Sequence, residues 1–276
     1  MTALRGVPVR EALDSAVVAL SAAGVDTPRL DAEVLLAHAL DVDRTALFVD
    51  RDLRVEGPAV RAFQDAVRRR SVGREPVAYI TGVKGFRHID LHVDGRVLIP
   101  RPDTEILVEA ALDLPRGARV IDVGTGSGAV ALALKDERPD LEVLGTDRSA
   151  AALAVARANA ARLGLDVAFV EGDLVAGVEA DAVVSNPPYV EDGARLAPEI
   201  VGFEPALALR AGPEGLEVIR RLVPAVGATD ARLVALEIGS TQAEAVSARM
   251  RASGFPDVHV GQDLAGLDRV VVGRRP

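Results

Sequence analysis

The 276-residue sequence contains no cysteine and no tryptophan. The absence of cysteine excludes disulfide bonds, thiol nucleophiles and cysteine-ligated zinc or iron–sulfur centres, and it fits a reducing compartment such as the cytoplasm. Long apolar runs are absent too, since none approaches the roughly 18 residues of a membrane-spanning helix. No basic stretch followed by an apolar run begins the chain. We therefore expect a cytoplasmic protein that is neither secreted nor inserted in a membrane.

Positively charged residues are outnumbered by negatively charged ones. The chain has 32 lysine and arginine residues against 41 aspartate and glutamate residues, and its net charge is −9. A protein that grips a phosphate backbone usually carries a basic face, so we expect no direct nucleic-acid binding. The 49% of hydrophobic and 26% of charged residues are typical of a globular protein and exclude long disorder or collagen-like repeats.

The first 80 residues have a helical pattern. Apolar residues at helical spacing predict three helices, which are Val9–Ala23, a helix that opens at Thr27-Pro28, and Val60–Arg70. Thr27 is the predicted N-cap of the second helix. The run from Arg68 to Arg70 favours docking of an acidic partner and a solvated helix end about equally. We interpret residues 1–80 as a small helical-bundle domain.

The rest of the chain alternates between strands and helices. Glycine-punctuated runs from Gly82 to Gly95 predict a β-hairpin, and we assign residues 81–98 to this linker. Beyond it, Val-rich runs alternate with Ala-rich helical segments, as in a parallel sheet covered on both faces. Seven strands are predicted: Arg119–Val123, Glu142–Thr146, Val167–Val170, Ala182–Ser185, Leu233–Ile238, Val258–Val260 and Arg269–Val272. Because no crossover helix separates the last two, we expect them to be antiparallel. Residues 99–276 are thus predicted to form a Rossmann-like α/β domain.

A glycine-rich loop follows the first of these strands and opens a helix, with the sequence Asp122-Val123-Gly124-Thr125-Gly126-Ser127-Gly128. Glycines let the backbone turn sharply and let a ligand approach the main chain. Asp147 ends the next strand, where its carboxylate is placed to accept two hydrogen bonds from a ribose diol. These features favour a nicotinamide dinucleotide and S-adenosylmethionine (AdoMet) equally. Asp173, after the third strand, either accepts from an adenine amine or belongs to a surface turn.

The segment Asn186-Pro187-Pro188-Tyr189 ends the fourth strand, on the sheet edge that carries the glycine loop. The two prolines fix an extended backbone without N–H groups. The Asn186 side-chain oxygen and a proline carbonyl therefore offer two acceptors, to which a planar NH₂ group can donate while its nitrogen points outward. Tyr189 supplies a flat wall for stacking. This pair of acceptors suits the binding of an amide or aromatic amine next to a methyl sulfonium, whereas a nicotinamide cofactor would not need it.

These segments together resemble a known family. The glycine loop followed by Asn-Pro-Pro-Tyr is similar to AdoMet-dependent amino-group methyltransferases. Three more segments are Glu75-Pro76-Val77-Ala78-Tyr79-Ile80, Val97-Leu98-Ile99-Pro100-Arg101-Pro102-Asp103-Thr104-Glu105 and Phe203-Glu204-Pro205. With them the chain resembles the peptide chain release factor glutamine methyltransferases nearly end to end. The resemblance implies a class I methyltransferase fold and methyl transfer to the side-chain amide nitrogen (N5) of the glutamine in the Gly-Gly-Gln motif of class I release factors, in support of translation termination.

The resemblance and the residue chemistry together assign roles. AdoMet, with S-adenosylhomocysteine as its product, is expected to contact Asp122, Gly124, Thr125, Gly126, Ser127, Gly128, Asp147, Asp173, Leu174 and Asn186. The substrate glutamine is expected to contact Asn186, Pro187, Pro188 and Tyr189, of which Asn186, Pro187 and Tyr189 have catalytic roles. Some family members have an aromatic residue where this chain has Leu174, so its contact with adenine is expected to be apolar. We expect no metal, a monomer, and docking of the release factor on residues 1–80.

Three alternatives remain open at this point. A DNA or RNA adenine methyltransferase shares the two core motifs, but it should add a basic groove or a target-recognition insertion. An NAD-dependent dehydrogenase leaves Asn-Pro-Pro-Tyr unexplained. A non-catalytic AdoMet-binding partner of the translation machinery differs only in the absence of turnover.

Overall fold

The structure is a computed structural model that describes residues 6–50, 53–175 and 177–276. Its strands are β1 (Val7–Pro8), β2 (Arg54–Val55), β3 (Val83–Phe86), β4 (Ile89–His92), β5 (Arg119–Val123), β6 (Glu142–Asp147), β7 (Ala168–Glu171), β8 (Ala182–Ser185), β9 (Leu233–Glu237), β10 (Asp257–Gln262) and β11 (Asp268–Arg274). Its helices are α1 (Val9–Ala22), α2 (Pro28–Leu40), α3 (Ala46–Val49), α4 (Pro58–Ser71), α5 (Val77–Thr81), α6 (Glu105–Ala111), α7 (Ala129–Glu137), α8 (Ala150–Leu163), α9 (Pro198–Phe203), α10 (Glu217–Gly227) and α11 (Ala243–Ala252).

The chain forms two compact units. The first runs to Gly82 and also includes Leu196–Phe203, and the second contains Val83–Arg195 and Glu204–Pro276. The division after Gly82 lies near the boundary drawn at residue 80 from the sequence. The return of Leu196–Phe203 to the first unit has no counterpart in the sequence prediction.

The first unit is helical, as its periodicity predicts. The apolar faces of α1 and α2 meet in a core whose leucines are almost completely buried, among them Leu13, Leu20, Leu35 and Leu36. Phe63 of α4 belongs to the same core. The three predicted helices are confirmed to within a few residues of their ends, whereas the short helices α3 and α5 were not predicted.

A buried ion pair connects α2 and α4. Arg70 Nε donates to Asp31 Oδ2 at 2.7 Å, and the two side chains are 9% and 8% exposed. Thr27 is the N-cap residue of α2, as predicted, but its side chain makes no capping hydrogen bond, because its hydroxyl donates to Asp31 Oδ1 at 2.9 Å. Within the same unit, Arg70 and Arg74 lie 3.5 and 3.0 Å from carboxylate oxygens of Glu199 in α9. Arg70 is therefore a structural residue rather than part of a solvated helix end.

The second unit is built on a seven-stranded sheet with the order β10-β11-β9-β8-β5-β6-β7. Strands β5 to β9 are parallel, and β11 is antiparallel to both β9 and β10, which confirms the predicted strands and the antiparallel pair. In this register Val123 is paired with both Thr146 and Ser185, and Ser185 is paired with Leu236. The carboxyl ends of β5, β6, β8 and β9 therefore lie side by side.

The predicted hairpin is confirmed as β3 and β4, which pair antiparallel from Val83–His92 to Phe86–Ile89. Asn159 of α8 connects it to the sheet domain, because its Oδ1 accepts the His92 N–H at 2.8 Å. Its Nδ2 donates to the carbonyls of His92 and Ser127 at 3.0 and 2.9 Å. The fully buried amide thus joins the hairpin to the glycine loop.

The packing around β6 leads to a first prediction. A Cβ on Gly145 would lie 2.5 Å from Phe169 Cδ1 and 2.8 Å from Thr125 Oγ1. We expect Gly145→Ala to lower the free energy of unfolding by about 1–3 kcal/mol, because a buried ring must move. Urea denaturation measures this change. The matched control is Gly193→Ala, whose added Cβ meets nothing within 4 Å, and equal stabilities of the two variants would contradict the prediction.

Candidate active site

A cavity of about 390 Å³ opens at the carboxyl ends of the parallel strands, within the size range of small-molecule sites. Its wall contains most of the predicted site residues, namely Asp122, Gly124, Thr125, Gly126, Ser127, Asp147, Asp173, Leu174, Asn186, Pro187 and Pro188. Gly128 and Tyr189 are not part of the wall as the described residues form it. The topology thus brings the glycine loop, the acid after β6 and the Asn-Pro-Pro segment to one site.

The backbone of the glycine loop is one that residues with a side chain rarely adopt. Gly124, Gly126 and Gly128 have φ angles of 72°, 57° and 84°, all in the left-handed region. The N–H groups of Gly124 and Thr125 both donate to the carbonyl of Thr146, at 2.8 and 2.9 Å. The three alternating glycines are therefore required by the path of the chain from β5 into α7.

Asp122 lies beneath this loop and is 2% exposed. Its Oδ2 accepts the Thr125 hydroxyl at 2.6 Å and the Ala131 N–H at 3.2 Å. Burial raises the pKa of Asp122 to about 6, against the opposing effect of these two hydrogen bonds. The carboxyl thus connects the end of β5 to the loop and to the first turn of α7.

Asp147 is equally engaged with the main chain. Its Oδ2 accepts the Gly126 N–H at 3.0 Å, and its Oδ1 accepts the Ser149 N–H at 2.8 Å. The Ser149 side chain in turn caps α8 by accepting the Ala152 N–H at 3.1 Å. A carboxylate oxygen can accept more than one hydrogen bond, so Asp147 keeps acceptor capacity toward the cavity while it holds the glycine loop in place.

The segment after β7 has an arrangement that the sequence did not predict. The exposed Asp173 forms ion pairs with Arg221, at short range, and with Arg148, 3.8 Å away. Leu174 has a φ of 56°, a left-handed conformation that costs a leucine of the order of 1 kcal/mol. Its carbonyl accepts the Thr146 hydroxyl at 3.4 Å. The strained turn places both residues on the cavity wall.

The side chain of Asn186 has a fixed contact at one end. Its Nδ2 donates to Thr104 Oγ1 at 3.1 Å, and the Thr104 residue is 4% exposed. Among the residues that the structure describes, no group donates to Asn186 Oδ1. The amide therefore has its nitrogen engaged by the protein and its oxygen available as an acceptor.

Tyr189 is held at both its main chain and its hydroxyl. The hydroxyl donates to Glu237 Oε1 at 3.0 Å, and the carbonyl accepts Gln242 Nε2 at 3.1 Å. Burial, and then the Glu237 carboxylate, raise the pKa of Tyr189 well above its ordinary value. The phenol thus stays protonated, which excludes it as a general base at neutral pH. Burial also raises the pKa of Glu237, while hydrogen bonds from Thr104 and Tyr189 oppose the shift.

Two of the segments that carry the family resemblance, residues 97–105 and 203–205, meet at a buried carboxylate. Glu204, which is 6% exposed, accepts the Ile99 N–H at 3.2 Å and forms a short ion pair with Arg101. The segment that precedes α6 is thereby connected to the residues that follow α9.

No group of His, Asp or Glu side chains among the described residues could hold a metal ion. None of the described helices is long and apolar enough to cross a bilayer.

Sequence comparisons identify relatives of this chain. The profile of the PrmC N-terminal domain matches residues 11–82, and that of the methyltransferase small domain matches residues 102–212. The release factor glutamine methyltransferase of Xylella fastidiosa (strain Temecula1) is 43% identical over 274 residues, which cover 96% of this chain and 99% of that protein. The protein of the same description from Moorella thermoacetica is 42% identical over 279 residues, covering 97% and 98%. The chain belongs to the release factor glutamine methyltransferase family.

A solved structure supports the fold of this family member. The hMettl16 catalytic domain, determined in complex with MAT2A 3′UTR hairpin 6, matches 79% of this chain with a TM-score of 0.54 and 18% identity, and 81% of that chain is covered. The predicted family and its α/β class I methyltransferase fold are confirmed.

Three polar residues of this release factor glutamine methyltransferase family member contact site residues but were not predicted. They are Thr104, Glu237 and Gln242. Thr104 lies inside a segment that the sequence singled out, so its hydroxyl could have been considered. Glu237 ends a strand and Gln242 lies between a strand and a helix. Isolated polar residues in such positions carry no spacing signal, because their partners lie far away along the chain.

The environment of Asp122 predicts a pH dependence of stability. Since its pKa rises from 3.8 to about 6 on folding, the folded protein binds a proton between these values that the unfolded chain does not. The contribution of this group to the free energy of unfolding therefore falls as the pH rises through that window, by roughly 3 kcal/mol in total.

Asp122→Asn should remove this term, so that its free energy of unfolding declines less than that of the wild type between pH 4 and pH 6. Urea denaturation at several pH values gives the comparison. The exposed Asp166→Asn is the control and should follow the wild type. Parallel pH profiles for the wild type and Asp122→Asn would show that Asp122 does not titrate in this way.

Proposed function

We propose that this protein transfers the methyl group of AdoMet to the side-chain amide nitrogen (N5) of the glutamine in the Gly-Gly-Gln motif of class I peptide chain release factors. The observation that carries the proposal is the free carboxamide oxygen of Asn186, next to Pro187 and on the wall of the cavity that the glycine loop also lines. Family membership supports the reaction, and the residues of the cavity support the way it occurs.

The cavity wall fits an AdoMet molecule. Asp147 supplies a carboxylate to the ribose hydroxyls, and the left-handed glycines leave the main chain open to a ligand. Leu174 offers an apolar contact to the adenine ring. Asp173 would have to share its carboxylate between the adenine amine and Arg221. When bound, AdoMet supplies an electrophilic methyl group on a sulfonium, and S-adenosylhomocysteine is the product.

The Asn-Pro-Pro-Tyr segment acts on the substrate amide. An amide nitrogen is a poor nucleophile because its lone pair is delocalised into the carbonyl group. The Asn186 oxygen and the Pro187 carbonyl accept the two N–H groups, localise the lone pair and direct it at the methyl group, and Pro188 keeps this backbone extended. Tyr189 provides a wall for the amide plane. Positioning and electrostatics thus account for the catalysis, and the proton leaves to water after transfer.

The reaction requires no metal. The first unit, with residues 1–80, docks the release factor, and the second binds AdoMet and the glutamine. The net charge of −9 argues against direct binding of nucleic acid. We propose that the enzyme acts as a monomer in the cytoplasm, where translation termination takes place.

Labelled AdoMet tests this function directly. The enzyme is incubated with a purified class I release factor, with the same factor carrying Gln→Ala in its Gly-Gly-Gln motif, and with duplex DNA. Label on the unaltered factor alone is the expected result. Label on DNA, or equal label on both factors, would refute the proposed substrate. The absence of label on every substrate would refute the proposed reaction.

Asn186→Ala separates the substrate role from cofactor binding. The variant lacks one of the two acceptors for the amide, so we expect kcat to fall by about 100-fold, as when one preorganised hydrogen-bonding group is removed from other enzymes. Its affinity for AdoMet, measured by calorimetry, should change far less. A variant with wild-type kcat would contradict the proposed role of Asn186.

Asp147→Ala addresses the cofactor. The loss of a charged acceptor, and of its hold on the Gly126 N–H, should weaken AdoMet binding by about 1.5–3 kcal/mol. Isothermal titration calorimetry measures this directly. Asp166→Ala, at an exposed position of the same unit, is the control. If AdoMet binds both variants equally well, the ribose does not contact Asp147.

A further inference from the structure

We propose that Gln242 is a positioning residue for the Asn-Pro-Pro-Tyr segment and acts through the main-chain carbonyl of Tyr189. This inference rests on the proposed function, because it concerns how the acceptors of that segment are held toward the substrate amide. Gln242 lies immediately before α11, 53 residues beyond Tyr189. It belongs neither to the glycine loop nor to a segment that carries the family resemblance. Its side chain nevertheless holds the end of the segment that Asn186 begins.

The main chain of this segment offers few groups by which it can be held. Its two prolines have no N–H and cannot donate to the surrounding protein. The peptide unit that joins Tyr189 to Val190, by contrast, is held on both sides. Its carbonyl accepts Gln242 Nε2 at 3.1 Å, and its N–H donates to the Leu209 carbonyl at 2.9 Å. This peptide unit is therefore a main-chain anchor for the segment on the far side of the prolines.

The buried side chain of Gln242 is itself fixed in one orientation. Its Oε1 accepts the Gly239 N–H at 2.9 Å, and its main-chain N–H donates back to the Gly239 carbonyl, also at 2.9 Å. At the other end of the amide, Nε2 donates to the carbonyls of Tyr189, Glu214 and Gly215, at 3.1, 3.4 and 3.3 Å. A half-turn of the amide would set its oxygen against these carbonyls and its NH₂ group against an N–H. Gln242 is therefore a rigid donor toward Tyr189.

Gly215 supports the same contact by its lack of a side chain. The residue is buried and has a φ of 67°. A Cβ at this position would overlap the Tyr189 carbonyl oxygen and lie 2.9 Å from Gln242 Nε2. Glycine is thus required for this carbonyl to reach Gln242. A donor and a close approach of the backbone meet at the same oxygen.

The position of this carbonyl affects the groups that face the substrate. The two prolines make the chain stiff, so a displacement of the anchor is passed back to the Pro187 carbonyl and to the Tyr189 ring. A misplacement of about 1 Å at a reacting centre can cost about 100-fold in rate. Neither Gln242 nor Gly215 is part of the cavity wall as the described residues form it. Their loss should therefore affect the chemical step rather than the binding of AdoMet.

The experiment compares Gln242→Met and Gly215→Ala with the control Gly164→Ala. Methionine keeps the length of the glutamine side chain without its hydrogen bonds. Gly164 has a φ of 68°, but a Cβ added there meets nothing within 4 Å. We expect kcat for a class I release factor to fall about tenfold or more in Gln242→Met and Gly215→Ala, while the Kd for AdoMet, measured by calorimetry, stays within about threefold. Gly164→Ala has the same backbone strain away from the segment, so its kcat should stay within about twofold of the wild type.

Tyrosine spectroscopy supplies a readout that a loss of stability alone would not move. The chain has no tryptophan and two tyrosines, so Tyr189 is the only tyrosine in a Tyr79→Phe background. Near-UV circular dichroism of the folded protein then reports the surroundings of the Tyr189 ring. We expect Gln242→Met and Gly215→Ala to weaken this signal relative to Tyr79→Phe alone, with the far-UV spectrum retained. Gly164→Ala should leave the signal unchanged.

Wild-type kcat in Gln242→Met or in Gly215→Ala would overturn the inference. A loss of kcat with an unchanged Tyr189 signal, an equal loss in Gly164→Ala, or a loss of AdoMet affinity as large as that of kcat would also overturn it. If Gln242→Met does not fold, the pair of Gly215→Ala and Gly164→Ala decides. A wild-type enzyme that methylates no release factor refutes the proposed function instead, and the Tyr189 signal then still tests the anchor.

Discussion

Carboxylates at the ends of the sheet strands hold the loops of the candidate active site. Asp122 in β5, Asp147 at the end of β6 and Glu237 at the end of β9 each accept hydrogen bonds from loop N–H or hydroxyl groups. Asp122 and Glu237 are almost completely buried, and a buried polar group without partners costs about 1–3 kcal/mol, so the neighbouring loops must present donors to them. The geometry of the glycine loop and of Tyr189 follows from this requirement.

The same constraint connects the fold to the chemistry. Aligned parallel strands bring these acids to one edge of the sheet, and the acids then fix the groups that face the cavity. Asp122 is engaged with Thr125 and Ala131, and the Tyr189 hydroxyl donates to Glu237. The site therefore supplies oriented acceptors in place of a strong base. Such a site suits a substrate whose nitrogen needs to be aimed and polarised.

Much of the fold could be predicted from the sequence because its signals are local. Apolar periodicity indicates the three main helices of the first unit, and the alternation of Val-rich and Ala-rich segments indicates the seven strands and their direction. The glycine loop and Asn-Pro-Pro-Tyr are contiguous motifs, and the topology places them together. Family resemblance, rather than spacing, supplied the identity of the substrate.

The parts that could not be predicted depend on single polar residues far apart in the chain. Arg70 pairs with Asp31 and reaches Glu199, 129 residues further along. Asn186 contacts Thr104 across 82 residues. Such pairs have no periodic pattern, so the buried role of Arg70 and the return of Leu196–Phe203 to the first unit became visible only in the structure. The ion pairs of Asp173 belong to the same class. The left-handed φ of Leu174 is instead a local backbone feature that is rare for leucine, so the residue type gave no signal of it.

The most direct test of this account is to locate the transferred methyl group. After reaction with AdoMet, the release factor is digested and its Gly-Gly-Gln peptide is fragmented in a mass spectrometer. The account predicts one methyl group, on the side-chain nitrogen of that glutamine. A methyl group on another residue, or on the main chain, would contradict the view that Asn186 and Pro187 receive a primary amide and aim its nitrogen at the methyl donor.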